Sequence, residues 1–452
     1  MKTSLLFILC AAALPSIAMS QDFTPPKPAA DESKFGAKIS RTMTALATST
    51  PEKKNPVRIL FYGQSIIAQS WSHAIAGRLK KEYPNAEISY ENRSIGGFEA
   101  DNLVKTSIHD LYPFYPDLVF FHDYGGVNGA LETMIANIRK LTTAEIIILN
   151  HHVSHDGNAW VQNEYDKQSQ LIRDLAAKYD CELVDVREEW KQYLAENKLE
   201  PKALLADIVH LNPKGCNLME ALVWRHLRYN KDFPVPHADW IKNLPAQQNK
   251  DGSVKISFTG NRVDLVAGTT DKPGTAKILI DGKAPSANPL AYAITRTNNA
   301  PGVWWPSICT ISSEKPLLVE DWILKITEIS EDAKNFKFEV SGSKTGPDGS
   351  GSSEGKFVSQ SGRVVIDPRD FTLAGASNYT KKKCPDGFEI KWSVAPMFKD
   401  TYTAPKSADP AKSTRTTLVQ LIENGPHTLE IIPNGDGAVP VKEIMVYQPA
   451  LK

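Results

Sequence analysis

No excess of either charge marks this sequence: 52 lysines and arginines balance 52 aspartates and glutamates. A chain without a net field exerts no long-range pull on nucleic acid or anionic lipid, so neutral or locally recognised substrates are expected. Long apolar runs are missing as well. After residue 20 no stretch approaches the roughly 18 apolar residues that a membrane helix needs, so no membrane span is expected. Cysteine is scarce, five in 452 residues, and no two sit at the close spacing of a structural zinc site. With 41% hydrophobic and 23% charged residues, the composition excludes disorder and collagen. At roughly 150 residues per domain, the length predicts two or three globular domains. No internal repeat is found.

What is present begins with a leader. Lys2, the apolar run Leu5 to Ile17 and the small residues Ala18 and Ser20 have the layout of a cleavable secretory signal, giving a secreted or periplasmic chain that starts near Gln21. A lipoprotein reading of Cys10 is disfavoured because Leu9 precedes it where a small residue is wanted. Cys181, Cys216, Cys309 and Cys384 then remain. An oxidising compartment permits three pairings, of which Cys181–Cys216 with Cys309–Cys384 keeps each bridge within one region. Four buried thiols are the equal alternative.

Residues 21–56 read as a linker, rich in Pro, Ala and charge to residue 33, and an N-terminal helix around Lys34 to Ala47. From Val57 short apolar strands alternate with amphipathic helices: strands at Val57–Tyr62, Ala86–Tyr90, Leu118–His122, Ile146–Asn150 and Glu182–Val186, with helices such as Ser70–Glu82, Glu99–His109, Ala130–Leu141 and Asn163–Tyr179 between them. That alternation predicts an α/β domain over 57–232, a three-layer, doubly wound parallel sheet whose ligands sit beyond the carboxyl ends of the strands. After Asp232 the helical period disappears. Strand-like runs separated by turn signals predict an all-β sandwich over 236–452, with Ser341–Gly355 and Lys399–Ser413 as long polar loops.

Ser65 follows the first strand in Gly63-Gln64-Ser65, at the carboxyl edge where a nucleophile belongs. A serine hydroxyl is too weakly acidic to attack an ester at neutral pH, so it needs an imidazole to take its proton, and the imidazole needs an acceptor that fixes its tautomer. Asp207 and His210, three residues apart in Asp207-Ile208-Val209-His210, can supply both from one loop.

These blocks resemble the SGNH (GDSL-type) hydrolases: Phe-Tyr-Gly-Gln-Ser at 61–65 where the family commonly has Gly-Asp-Ser, Asn92-Arg93-Ser94-Ile95-Gly96-Gly97 as its glycine block, and Asp207 to His210 as its last block. The resemblance covers residues 57–229. It implies a flavodoxin-like fold and a shallow site without metal or cofactor, with Ser65 as nucleophile, His210 as general base and acid, and Asp207 as orienter. It also implies an oxyanion site made of the Ser65 and Gly97 backbone N–H groups, with Gly96 as alternative, and an asparagine side chain. Here the chain departs from the pattern: Asn128 lies one position further from Gly125 than the family spacing. If Asn128 does not reach in, His122 or a backbone N–H at Gly125 or Gly126 must replace it.

His151, His152 and His155, near Asp156, invite a metal reading, but adjacent residues on an extended segment face opposite ways; they are expected at the cleft rim or as ordinary loop residues. Trp304 and Trp305 could stack on sugar rings, and the same alternation leaves at most one of them buried. The β domain vaguely resembles jelly-roll modules of secreted carbohydrate-active enzymes. The function expected is that of an exported serine esterase removing short acyl groups, acetyl above all, from a polysaccharide, with the β domain assisting polymer substrates and leaving the chemistry to the first domain. The runners-up are a carbohydrate-binding protein with a degenerate hydrolase domain, and another ester hydrolase such as a lipid esterase or thioesterase.

Overall fold

The computed structural model describes residues 23–123, 129–155, 159–407, 409 and 412–451; the leader and Asn128 lie outside them. Five parallel strands form the first sheet, in the order β2-β1-β3-β4-β5: β1 Pro56–Gly63, β2 Glu87–Asn92, β3 Leu118–His122, β4 Glu145–Leu149 and β5 Glu182–Val184. Around them run α1 Ser40–Ala47, α2 Ser65–Ala68, α3 Ser70–Glu82, α4 Ala100–Phe114, α5 Ala130–Leu141, α6 Ala159–Lys178, α7 Val186–Asn197 and α8 Pro213–Trp224. The central strands are apolar along their whole length because both faces are covered. Ile59 and Phe61, Leu118 and Phe120, Ile147 and Leu149 point into one core with α1, α3, α7 and α8. Their neighbours Leu60, Tyr62, Val119, Phe121, Ile146 and Ile148 point into the other with α4, α5 and α6. This is the three-layer α/β domain that the alternation of strand and helix predicts.

The segment read as a linker lies along this domain. Tyr193 Oη donates to the Thr24 carbonyl at 2.8 Å, and Arg228 pairs with Glu32 at 2.6 Å. Glu145 and Glu182, buried at the starts of β4 and β5, accept from the backbone N–H groups of Arg41, Thr42, Gly36 and Lys38. These are long-range pairings between carboxylates and backbone N–H groups of the N-terminal segment, and no sequence period announces them.

In the later region the strands pair antiparallel. A six-stranded sheet has the order β16-β8-β17-β7-β18-β6, and a five-stranded sheet the order β12-β11-β10-β15-β9. Their strands are β6 Ile241–Pro245, β7 Val254–Gly268, β8 Thr275–Ile280, β9 Tyr292–Ile294, β10 Asp321–Ile329, β11 Phe336–Gly342, β12 Gly346–Ser352, β15 Glu389–Pro396, β16 Thr401–Thr403, β17 Ser413–Pro433 and β18 Val441–Tyr447; β13 Phe357–Val358 pairs with β14 Val365–Ile366, and α9 Leu373–Thr380 follows. Each large sheet backs its own apolar cluster. The five-stranded unit is built wholly from residues between β8 and β16.

Two expected loops are thereby corrected. Ser341–Gly355 contains β12, which pairs with β11. A Cβ at Gly351 would lie 2.7 Å from the rings of Phe338 and Phe357, so the glycine is there for close packing and not for looseness. Lys399–Ser413 contains β16. Of the two readings left open for the cysteines the structure has the second, since all four are buried free thiols. Cys216 and Cys181 sit in the cores on opposite faces of the parallel sheet, and Cys309 joins the core of the α/β domain while Cys384 lies under the five-stranded sheet.

The β region is docked on α4. Arg296 grips the buried Asp110 carboxylate through Nε at 2.9 Å and also bonds the Arg93 carbonyl at 2.7 Å. His109 Nδ1 donates to the Ile294 carbonyl at 2.8 Å while its Nε2 accepts from the Ile311 N–H at 3.1 Å. Lys105 pairs with Asp370, and Tyr115 Oη donates to Asn261.

Candidate active site

β1 ends beside β3 so closely that a Cβ at Gly63 would stand 2.0 Å from the His122 carbonyl oxygen, and Gly63 has φ +145°. Only glycine fits there, and two residues later Ser65 opens α2 at the carboxyl edge of the sheet. Its Oγ lies 2.9 Å from His210 Nε2, and His210 Nδ1 lies 2.8 Å from Asp207 Oδ2. The other Asp207 oxygen accepts the N–H groups of Val209 at 2.8 Å and His210 at 2.7 Å. Slight burial pushes the Asp207 carboxyl up, but these two amides and His210 outweigh it and hold it at about 2. The ionised carboxylate can only accept, so Nδ1 carries the imidazole proton and Nε2 offers its lone pair to the serine hydroxyl.

The loop carrying Asp207 and His210 is tied down on both sides. Gln69 donates to the Leu211 carbonyl at 2.9 Å and accepts the Leu211 N–H at 3.2 Å. His152 Nε2 donates to the Val209 carbonyl at 2.8 Å, and the His155 N–H to the Ile208 carbonyl at 2.7 Å. His152 is therefore a fully buried support of this loop, and His151, also fully buried, donates through Nε2 to Gln168 Oε1 at 2.9 Å, so neither is a rim residue. Burial pushes the His151 imidazole down to about 3, so it is neutral. Among the described residues no group of three His, Cys, Asp or Glu is placed to hold a metal.

The glycine block forms a turn in which the Phe98 N–H donates to the Ile95 carbonyl at 3.1 Å and Gly97 has φ +82°. A Cβ on Gly96 would stand 3.3 Å from Ser65 Cβ, so this turn lies against Ser65. Asn92 anchors the block by donating to the Ile67 carbonyl at 2.9 Å. The third expected donor, Asn128, and the alternatives Gly125 and Gly126 fall outside the described residues. His122 is buried 5.6 Å from the His151 ring, and burial holds it well below the usual imidazole range, so it is a neutral core residue and does not line the cleft. Beside it, the buried Asp123 accepts from Gln64 Nε2 at 3.0 Å and the Ala100 N–H at 3.1 Å; burial pushes this carboxyl up to about 7.

Ser65 and His210 open into a cleft of about 690 Å³ whose far wall comes from the β region: Trp304, Trp305 and Tyr379, with Tyr165 of α6 completing the rim. The β region, expected to assist polymer substrates and leave the chemistry to the first domain, thus reaches the cleft itself. At most one of the two tryptophans is buried, as expected, since Trp304 is exposed and Trp305 partly covered, but they sit in an irregular loop where strand alternation is not the reason. Both indole N–H groups turn the same way and donate to the Gly96 carbonyl, at 2.7 and 2.8 Å. Trp304 is 49% exposed and Tyr379 60%. Sequence reasoning missed Gln69, Tyr165 and Tyr379; a single polar or aromatic side chain gives no local signal of partners that are distant in the chain, such as Leu211 for Gln69.

No family model matches the chain, and no curated protein matches it. Among solved structures the chain is similar to Axe2, an acetylxylan esterase from Geobacillus stearothermophilus, with 18% identity and a TM-score of 0.35 over 38% of this chain and 95% of that one. It is similar likewise to the acetyl xylan esterase AlAXEase, with 20% identity and a TM-score of 0.33 over 37% of this chain and 98% of the other. No helix among the described residues is long and apolar enough to cross a membrane.

Proposed function

We propose that this protein is an exported serine esterase of SGNH type that removes short acyl groups, acetyl above all, from a polysaccharide. The observation that carries the reading is the hydrogen-bonded chain Ser65 Oγ, His210, Asp207 at 2.9 and 2.8 Å, opening into an aromatic-walled cleft. Ser65 Oγ attacks the ester carbonyl as His210 Nε2 takes its proton. The tetrahedral oxyanion is received by the Ser65 and Gly97 N–H groups. Collapse breaks the bond to the sugar oxygen, which takes the proton back from His210, and leaves an acyl-Ser65. Water, deprotonated by His210, then attacks that acyl group; the bond to Ser65 Oγ breaks, Oγ takes the proton back from His210, and the carboxylic acid leaves. Asp207 stays ionised and stabilises the imidazolium. The half-exposed rings of Trp304 and Tyr379 beside the nucleophile suit the flat apolar faces of sugar rings. The leader read from residues 1–20 suits a substrate outside the cell.

The test is acetate release from acetylated xylan, mannan and pectin, with Ser65→Ala as control and a soluble activated acetate ester alongside. We expect release from at least one polysaccharide, lost by at least a thousandfold in the variant with Tm changed by no more than a few degrees. A Ser65→Ala protein as active as wild type removes the triad; cleavage of the small ester without any polymer removes the polysaccharide.

A further inference from the structure

We propose that Trp304 and Trp305 are positioning residues that lock the Gly96–Gly97 peptide with the Gly97 N–H facing the reaction centre, so that the β region completes the oxyanion site of the α/β domain. The catalytic part of this inference rests on the hydrolase reading above; the lock itself does not.

The turn Ile95-Gly96-Gly97-Phe98 is closed by its outer residues, and the positive φ of its third residue makes it type II. The closing bond does not hold the central peptide. That peptide can rotate by half a turn to the type I arrangement, in which the third residue takes φ near −90°, and with glycine at both central positions no Cβ opposes the change. In a trans peptide the C=O and N–H point in opposite directions, so the rotation would reverse both at once. In the observed state the Gly96 oxygen accepts two indole N–H groups, from Trp304 at 2.7 Å and Trp305 at 2.8 Å. Rotation would break both bonds. Held this way, the Gly97 N–H is turned from the indoles; it makes no hydrogen bond to any described residue, and Gly97 lines the same cleft as Ser65 and His210. An unengaged donor beside a nucleophile is what an oxyanion site requires. The indoles are fixed in turn: Trp305 packs against Phe98 at 6.0 Å and Tyr379 at 5.5 Å, and the Trp304 ring meets Tyr379 at 6.0 Å.

The variants are Trp304→Phe, Trp305→Phe and the double, each keeping a ring and deleting the N–H. Two readouts are taken on the full chain. The first is the orientation of the Gly96–Gly97 peptide, from a crystal structure or from glycine-labelled NMR. The second is kcat and KM on a small soluble acetate ester, which is too small to need a sugar platform. We expect the double variant to populate the rotated peptide and to lose about 10²-fold in kcat, the scale of one oxyanion donor, with KM within about threefold; each single variant, keeping one indole bond, should lose less. A peptide that stays in place in the double variant overturns the lock, whatever the activity. A rotated peptide with unchanged kcat overturns its catalytic role. A wild type inactive on every ester refutes the proposed function, while the orientation measurement still decides the lock. If the double variant does not fold, the two single variants decide by the same readouts: each should populate the rotated peptide detectably and lower kcat at least twofold with KM within about threefold, and an unrotated peptide with unchanged kcat in both overturns the lock.

Discussion

Replacing Asp207 by asparagine tests the proton relay in a way that deletion cannot. The carboxylate uses one oxygen for two backbone N–H donors and the other for His210 Nδ1–H. An asparagine must keep its oxygen on the two amides, because the reversed orientation would aim N–H groups at N–H groups. Its NH₂ then faces Nδ1, which must accept, and the imidazole proton moves to Nε2. That nitrogen now points a hydrogen at Ser65 Oγ and cannot take the serine proton. Inverting the tautomer of a buried triad costs about 10⁴ in kcat. Asp207 is 53% exposed, so water competes for Nδ1 and we take the loss as about 10³, equivalent to about 4 kcal/mol. The assay is kcat on a soluble acetate ester, with Tm and circular dichroism as controls for folding. The pH dependence of stability has a definite sign. A carboxyl held at about 2 when folded stabilises the native state above its ordinary range, and this is lost as pH falls toward 2. Any stability deficit of the variant at neutral pH should therefore vanish below about pH 2. A variant retaining more than a tenth of wild-type kcat would refute the orienting role of Asp207.

Two further outcomes follow from the packing. Arg296→Met leaves the Asp110 carboxylate, 3% exposed, without its cation, and should lower the unfolding free energy by about 3 kcal/mol, whereas Arg296→Met with Asp110→Leu should recover most of it; denaturant titration checks both, and a double variant no better than the single would refute the argument. Burial already holds the folded Asp110 carboxyl above its ordinary range, so native protein binds that proton more readily than unfolded protein and the deficit of Arg296→Met should be larger at pH 8 than at pH 5. Protein lacking its leader should show four thiols on denaturation without reductant, and almost none when native, because burial pushes Cys181 and Cys384 up to about 11 and Cys309 to about 12; a titre of two would establish one disulfide.

The parallel sheet was legible because a strand covered on both faces is apolar throughout, and helices such as Ser70–Glu82 and Ala130–Leu141 carry their period within their own residues. Asp207 and His210 were legible because they are local to each other, and Ser65 because a glycine-bearing strand end is itself a signal. What stayed hidden depends on distant partners. Nothing local marks Glu145 and Glu182, whose role appears only when the N-terminal segment descends on them. Gly351 read as loop because its reason, two phenylalanine rings, is tertiary. The tryptophans drew attention for their faces, and it is their edges that bind the glycine turn.

The nesting of the five-stranded unit inside the six-stranded sheet sets an order of assembly. β7 pairs with β17 along most of its length, yet β8 to β16 and α9 intervene in the chain. Contacts of such sequence separation form late, since the entropy of closing the loop is spent before the pairing returns anything. The α/β layers, joined by short crossovers, can form well before that seam closes. In refolding from denaturant, native helical signal should therefore return ahead of the proposed ester turnover, and the interval between them measures how long a formed parallel sheet waits for its β wall.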